Sequence, residues 1–179
     1  MTVAPQRLHH PGSDGTGPIE PDLFRQLLRR QAAAVVVVTV DATPPVGFTA
    51  TSFTSVSLRP PLISFNLDRS SSSWPAVEAA DHVGVHILSH HQEHVARRFA
   101  TSGIDRFANG ISWQPGPHGV PLLAGSLAWL VCRVVNRVEA GDHAIVLAEP
   151  VLGDHLDDEG HSPLVYHMGR YLTKPHPPA

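Results

Sequence analysis

The stretch AAAVVVVTVD at residues 32–41 narrows the fold of this chain more than any other. Branched side chains lose rotamer freedom against a helical turn but pack well on a pleated surface. A run this short and this rich in valine therefore makes a strand, and its lack of polar alternation means that both faces are covered. Two long stretches near the C-terminus, SLAWLVCRVVNRVEA at 126–140 and DHAIVLAEPVLGDH at 142–155, alternate instead. Ala128, Leu130, Cys132 and Val134 share one face there, and Arg133 and Arg137 lie on the other. Gly141 and Asp142 form the tight turn between them. Shorter strands are expected at VGFTATSF (46–53), PLISFNLD (61–68), HVGVHIL (82–88) and PLVYHMG (163–169), with Thr43, Pro44 and Pro45 turning the chain ahead of the first.

Helical signals are few. PDLFRQLLRR at 21–30 carries Pro21 in its first turn and Arg29 and Arg30 in its last, and gathers Leu23, Phe24, Leu27 and Leu28 on one apolar face. RSSSSWPAVEAA leads from a serine run into a short helix with Pro75 near its start. Ser89 and Gln92 have capping-box spacing, which predicts a third helix over 90–101 with Val95 and Phe99 inward. Residues 102–119 read as a Gly- and Pro-punctuated loop. Many strands, three short helices and little β-α-β alternation point to a mainly β fold, a barrel with helices packed outside, and away from a Rossmann sheet.

The 179 residues suit one domain, over 19–173, between a Pro- and Gly-rich lead-in at 1–18 and the tail at 174–179, both expected to be disordered. A formal charge of −3 offers no basic field for nucleic acid or an anionic membrane. Neither a spanning apolar run nor a signal peptide is present, and the single cysteine, Cys132, excludes an internal disulfide and cysteine-held metal centres. The expected setting is cytoplasmic. Of the thirteen histidines, His90 and His94 stand four apart with His91 between, but no HExxH accompanies them and a solvated helix face is expected. His82 and His86 are read as structural. Cys132 is expected to be a buried, inert thiol, Trp129 to serve barrel packing or a dimer contact, and Asp157, Asp158 and Glu159 to form an exposed hairpin tip.

Neither GxGxxG nor GxxxxGK[ST] occurs, so a dinucleotide would bind without a Rossmann domain. The informative segment is GFTATSFTSVSLRPPLISFNLDRSSSSW. Thr49, Ala50, Thr51 and Ser52 are small enough for a flat ligand to approach the backbone, whose N–H and C=O groups can read a polar edge. A Pro-Pro break separates them from the next strand, and Arg69 with Ser70, Ser71, Ser72 and Ser73 offers hydroxyls and a cation suited to a phosphate.

This segment, with ARRFA at 96–100, DRF at 105–107, Trp113, PLLAG at 121–125, LAWLVCRV at 127–134, AGDH at 140–143 and YHMGRY at 166–171, resembles in order and spacing the NAD(P)H:flavin oxidoreductases, over about residues 20 to 172. These are the reductase components of two-component flavin monooxygenases. The resemblance implies a Greek-key, FMN-binding type of split β-barrel, a homodimer with sites near the subunit interface, and a partner monooxygenase. It implies that Thr49, Ala50, Thr51 and Ser52 line the flavin ring with Ser64 and Asn66. Ser70, Ser71, Ser72 and Ser73 would hold the flavin phosphate, assisted by Arg69, the particular serines being open. Phe99, Arg106 and Phe107 would border the site, Tyr171 would close it, and His143 in the GDH turn would act catalytically beside the nicotinamide. Cofactors would be FMN or FAD with NADH, NADPH being possible, and no metal. Two other readings share the barrel: a flavin-binding module without rapid turnover, and an enzyme acting on its own organic substrate with bound flavin. A dinucleotide-facing histidine favours the reductase.

Overall fold

The computed structural model describes residues 17–108, 110–157 and 161–172. The lead-in up to residue 16, the tail from 173, and Asp158 and Glu159 of the expected hairpin tip lie outside the described residues. Helix α1 (Pro21–Leu28) precedes β1 (Ala33–Ala34), β2 (Val36–Val40), β3 (Val46–Ala50), β4 (Thr54–Leu58) and β5 (Pro61–Asp68). Then come α2 (Trp74–Ala79), β6 (His82–Ile87), α3 (Glu93–Ala100), β7 (Trp113–Pro115) and β8 (Pro121–Leu123). The long β9 (Ala128–Ala140) and β10 (His143–His155) follow, with β11 (Val165–His167) and β12 (Arg170–Leu172) last.

Seven strands form one antiparallel sheet in the order β3-β2-β6-β9-β10-β5-β4. No ladder joins β3 to β4 among the described residues, so the sheet curls without closing. The valine run is buried on both faces, as its composition requires. Val36, Val38 and Val40 point into the curl with Phe48, Phe65, Val85 and Val146, while Val35 and Val37 meet Val95, Ala96 and Phe99 of α3 on the outside. Each buried valine stabilises the fold by about 1.5–3 kcal/mol relative to exposure. Two close approaches need glycine: a Cβ on Gly47 would lie 2.6 Å from the Phe99 ring, and one on Gly84 would strike the Thr39 hydroxyl, which donates to Pro121 O at 2.7 Å.

The apolar face of α1 is left partly open, with Phe24, Leu27 and Leu28 each about half exposed. Just beyond the helix, Arg29 O accepts the Met168 N–H and ties this segment to the last hairpin. Several expectations change. The segment after Ser52 is not a simple break but an edge strand, β4, paired with β5. The loop at 102–119 contains β7, which pairs with β8 as a small hairpin packed against Trp129. The expected strand in PLVYHMG is β11, and the chain then turns at Met168 and Gly169, both with positive φ, into a further strand, β12. Arg137 does not share a face with Arg133. The register shifts between Ala148↔Val134 and Leu147↔Asn136, leaving Val135 as an extra residue that flips the side-chain alternation. Arg137 consequently turns toward α2, donating to Val77 O and Ala80 O, while Arg133 pairs with Glu149.

Buried titratable groups are held neutral. Burial pulls His86 down to about 4 and pushes the Cys132 thiol up to about 12. His86 Nδ1 meets Val37 O at 3.2 Å, which fixes the Nδ1–H tautomer. No described helix is long and apolar enough to cross a membrane.

Candidate functional site

Several of the residues singled out in the sequence lie along one seam, where the segment 47–52 passes beside 66–73. At one end Ser52 and Asn66 are joined twice: the Asn66 N–H donates to Ser52 Oγ at 2.9 Å, and the Ser52 hydroxyl donates to Asn66 O at 3.3 Å. At the other end Arg106 Nη1 bridges Gly47 O at 2.6 Å and Ser73 Oγ at 2.9 Å, while its Nε donates to Thr101 O at 2.8 Å. Gly47 and Ser52 stand five positions apart, with β3 ending at Ala50 between them. A cavity lies at each end.

The larger cavity, about 920 Å³, is lined by Thr51, Ser52 and Asn66 on the barrel side. Its opposite wall is Phe24, Arg25, Leu28 and Arg29 of α1 and the segment after it, with Tyr166, Met168 and Gly169 of the last hairpin. The smaller one, about 420 Å³, is lined by Pro44, Pro45, Gly47, Ser72, Ser73, Ile104 and Arg106 among others. The first volume is near the top of the roughly 300–1,000 Å³ range of small-molecule sites. Apolar walls and a polar edge suit a flat heteroaromatic ring. The second presents a guanidinium and a hydroxyl, the donor set for a phosphate.

The serine run divides by its partners. Ser70 gives both its N–H and its hydroxyl to Asp68 Oδ1, each at 2.7 Å, and those bonds hold the Asp68 carboxyl below the usual carboxylate range. Arg69 pairs with Glu139 at 3.1 Å. Ser71 Oγ accepts the Ser73 N–H at 3.3 Å. Ser72 and Ser73 therefore stand at the cavity, whereas Arg69 and Ser70 are committed beside acidic groups.

Other expected residues stand behind the seam. The Thr49 hydroxyl donates to Ala96 O of α3 at 2.7 Å, and the Ala50 side chain is in the barrel core. Ser64 is buried, and Phe99 and Phe107 form a buried edge-to-face pair with centroids 5.0 Å apart. Tyr171 packs edge-on against Tyr166 at 5.1 Å, with the Arg97 guanidinium 5.1 Å from its ring centre, and burial raises its phenol. Tyr166, its cross-strand partner, is the tyrosine that lines the cavity. His143 begins β10 opposite Asp68, while Ile145 lies opposite Asn66, so His143 and Asn66 share the outer face of the sheet. Its Nδ1–H donates to the Asp142 carboxylate at 2.7 Å, leaving Nε2 as the nitrogen available to a ligand. Among the described residues no three His, Cys, Asp or Glu are gathered as a metal would need.

Comparison with known proteins fits this geometry. The model of the flavin reductase like domain family matches residues 28–174. The chain belongs to the flavin reductase-like family. An NADH:FMN oxidoreductase of Rhodococcus qingshengii is 46% identical over 151 residues, covering 83% of this chain and 79% of the relative. The HsaB reductase subunit of a Mycobacterium tuberculosis flavin-dependent monooxygenase is 36% identical over 154 residues, covering 86% of this chain and 82% of the relative. Among solved structures, the NADH:FAD oxidoreductase SgcE6 of Streptomyces globisporus, in complex with NAD and FAD fragments, superposes with a TM-score of 0.83 at 32% identity. That match covers 92% of this chain and 99% of the other. Within this flavin reductase-like chain, sequence reasoning missed the α1 wall, Gly47 and Tyr166. The apolar face of the first helix, with Phe24 and Leu28 on it, was the available signal for the first of these.

Proposed function

We propose that this chain is an NADH-dependent flavin reductase that supplies reduced FMN or FAD to a flavin-dependent monooxygenase. One observation carries the reading: a cavity with a polar edge lies at one end of the seam, and an arginine–serine pair suited to a phosphate lines a second cavity at the other. When bound there, the flavin supplies the hydride-accepting ring for reduced nicotinamide stacked against it.

The chain's own residues then have separable tasks. Thr51, Ser52 and Asn66 hold the polar edge of the ring. Ser72, Ser73 and Arg106 hold the phosphate, Arg106 being fixed by protein carbonyls before any ligand arrives. Phe24, Leu28 and Tyr166 exclude water from the ring face. Asp142 fixes the tautomer of His143, whose Nε2 orients the carboxamide side of the nicotinamide or carries a proton to the flavin edge. Thr49, Ala50, Ser64, Phe99, Phe107 and Tyr171 support this surface from behind. Residues 19–173 are the functional unit, and the cytoplasm its compartment, in keeping with a lone buried thiol. We further propose a homodimer, because Phe24, Leu27 and Leu28 on α1 and Val56 and Val138 on the outer sheet are exposed.

Mixing the protein with NADH and FMN or FAD and following the nicotinamide absorbance tests this reading. Turnover with either flavin is expected. Firmly bound yellow flavin without turnover would instead identify a flavin-binding module. His143→Ala is expected to lower kcat/KM for NADH about tenfold, the equivalent of one charge-assisted hydrogen bond, with flavin affinity nearly intact. Unchanged kinetics would remove His143 from the site.

A further inference from the structure

The larger cavity holds a charge that the ring does not need. Of its two lining arginines, Arg25 is neutralised by Asp22 at 2.6 Å. Arg29 has no carboxylate within ion-pair distance among the described residues. Its backbone is tied to the last hairpin. Its carbonyl accepts the Met168 N–H at 3.1 Å, and its guanidinium lies against Gly169, where a Cβ would come within 2.5 Å of Nη2. Gly169 has φ +80°, so the turn itself favours glycine.

We infer that Arg29 binds the pyrophosphate of the nicotinamide dinucleotide, and that the cavity wall built from α1 and the last hairpin is the entry side for the hydride donor. The inference rests on the flavin reading above. With the flavin ring at Thr51, Ser52 and Asn66, its phosphate tail runs along the seam to Ser73 and Arg106, away from α1. What remains facing Arg29 is the space over the ring, which the second, dinucleotide ligand must share for the two rings to stack. An uncompensated guanidinium beside that space is a forked donor matched to phosphate oxygens. The cavity's upper-range volume accommodates a second ligand.

The test is steady-state kinetics with FMN as acceptor, so that only the donor carries a pyrophosphate. Wild-type protein, Arg29→Ala and Arg29→Lys are compared with NADH and with N-benzyl-1,4-dihydronicotinamide, a hydride donor without phosphate. Arg29→Ala is expected to raise the KM for NADH about tenfold with kcat little changed and to flatten its salt dependence, and Arg29→Lys to recover part of the loss. The uncharged donor should not distinguish the three proteins. An unchanged KM for NADH overturns the inference. Equal losses with both donors overturn it too, since the residue would then shape the cavity rather than bind an anion. Loss of FAD affinity without any change for NADH would reassign Arg29 to the flavin. Failure of the wild-type protein to oxidise NADH would strike the flavin reductase reading itself, a separate result.

Discussion

At the Gly47–Ser73 end of the seam, Arg106 is locked by Gly47 O, Ser73 Oγ and Thr101 O, and the buried pair Phe99 and Phe107 packs behind it. At the Ser52–Asn66 end, the barrel supplies one polar edge and the facing wall comes from α1, whose apolar side chains are half exposed. One end is preorganised by the core, and the other is assembled from peripheral pieces. The contrast suits the two proposed duties. A phosphate is recognised by fixed donors that need no reorganisation. A ring that must admit a second ring, and then let it leave, needs a wall held by few contacts.

A perturbation of the barrel that both ends share must move them together, and acid supplies the largest one. His86 has a folded-state pKa of about 4 against an ordinary 6.5. Between those values the unfolded chain binds a proton that the folded chain does not, so stability is complete above about pH 6.5 and falls as pH drops. The loss reaches about 3 kcal/mol near pH 4. Urea unfolding at stepped pH should show it, and His86→Gln should lessen the slope in that window. If the ring end lost flavin well before the barrel unfolded, α1 rather than the barrel would be the acid-sensitive part.

Arg106→Ala attacks the preorganised end alone. Losing a charge-assisted donor there removes about 1.5–3 kcal/mol, or roughly 10- to 100-fold in flavin affinity, measured by quenching of FMN fluorescence. Riboflavin, which lacks the phosphate, should bind wild type and variant alike. Equal losses for riboflavin and FMN would mean that Arg106 acts by holding Gly47 and Thr101 in place.

The strands were legible because burial leaves an unambiguous mark. The valine run, Leu130, Cys132 and Val134 of β9, and Val95 and Phe99 of α3 lie where their patterns require. Features fixed by pairing rather than by composition were not legible. The bulge at Val135 reverses Arg137 through one extra residue, and no local signal separates it from regular alternation. β4 and β7 are short edge or hairpin strands whose partners define them. At the site, residue type located the seam but could not apportion roles along it. Ser70 and Ser73 look identical in RSSSSW, yet one serves Asp68 and the other Arg106. The Thr49 hydroxyl is taken by Ala96 O, a partner no local pattern announces. The α1 wall escaped because an amphipathic helix face does not say which surface it meets.

The smallest effects separate the two ends by stability alone. Gly47→Ala places a methyl group 2.6 Å from Phe99 Cε1 and 3.1 Å from Val38 O, and the fully buried ring has nowhere to retreat. Overpacking of this kind costs about 1–3 kcal/mol. Thr51→Ala, four residues along at the exposed ring end, removes a side chain that packs against no core, and should change stability by no more than about 0.5 kcal/mol. Thermal unfolding of the two variants compares them directly. A cost at Thr51 matching that at Gly47 would mean that the ring end is as firmly built as the phosphate end, and the proposed division of duties along the seam would fail.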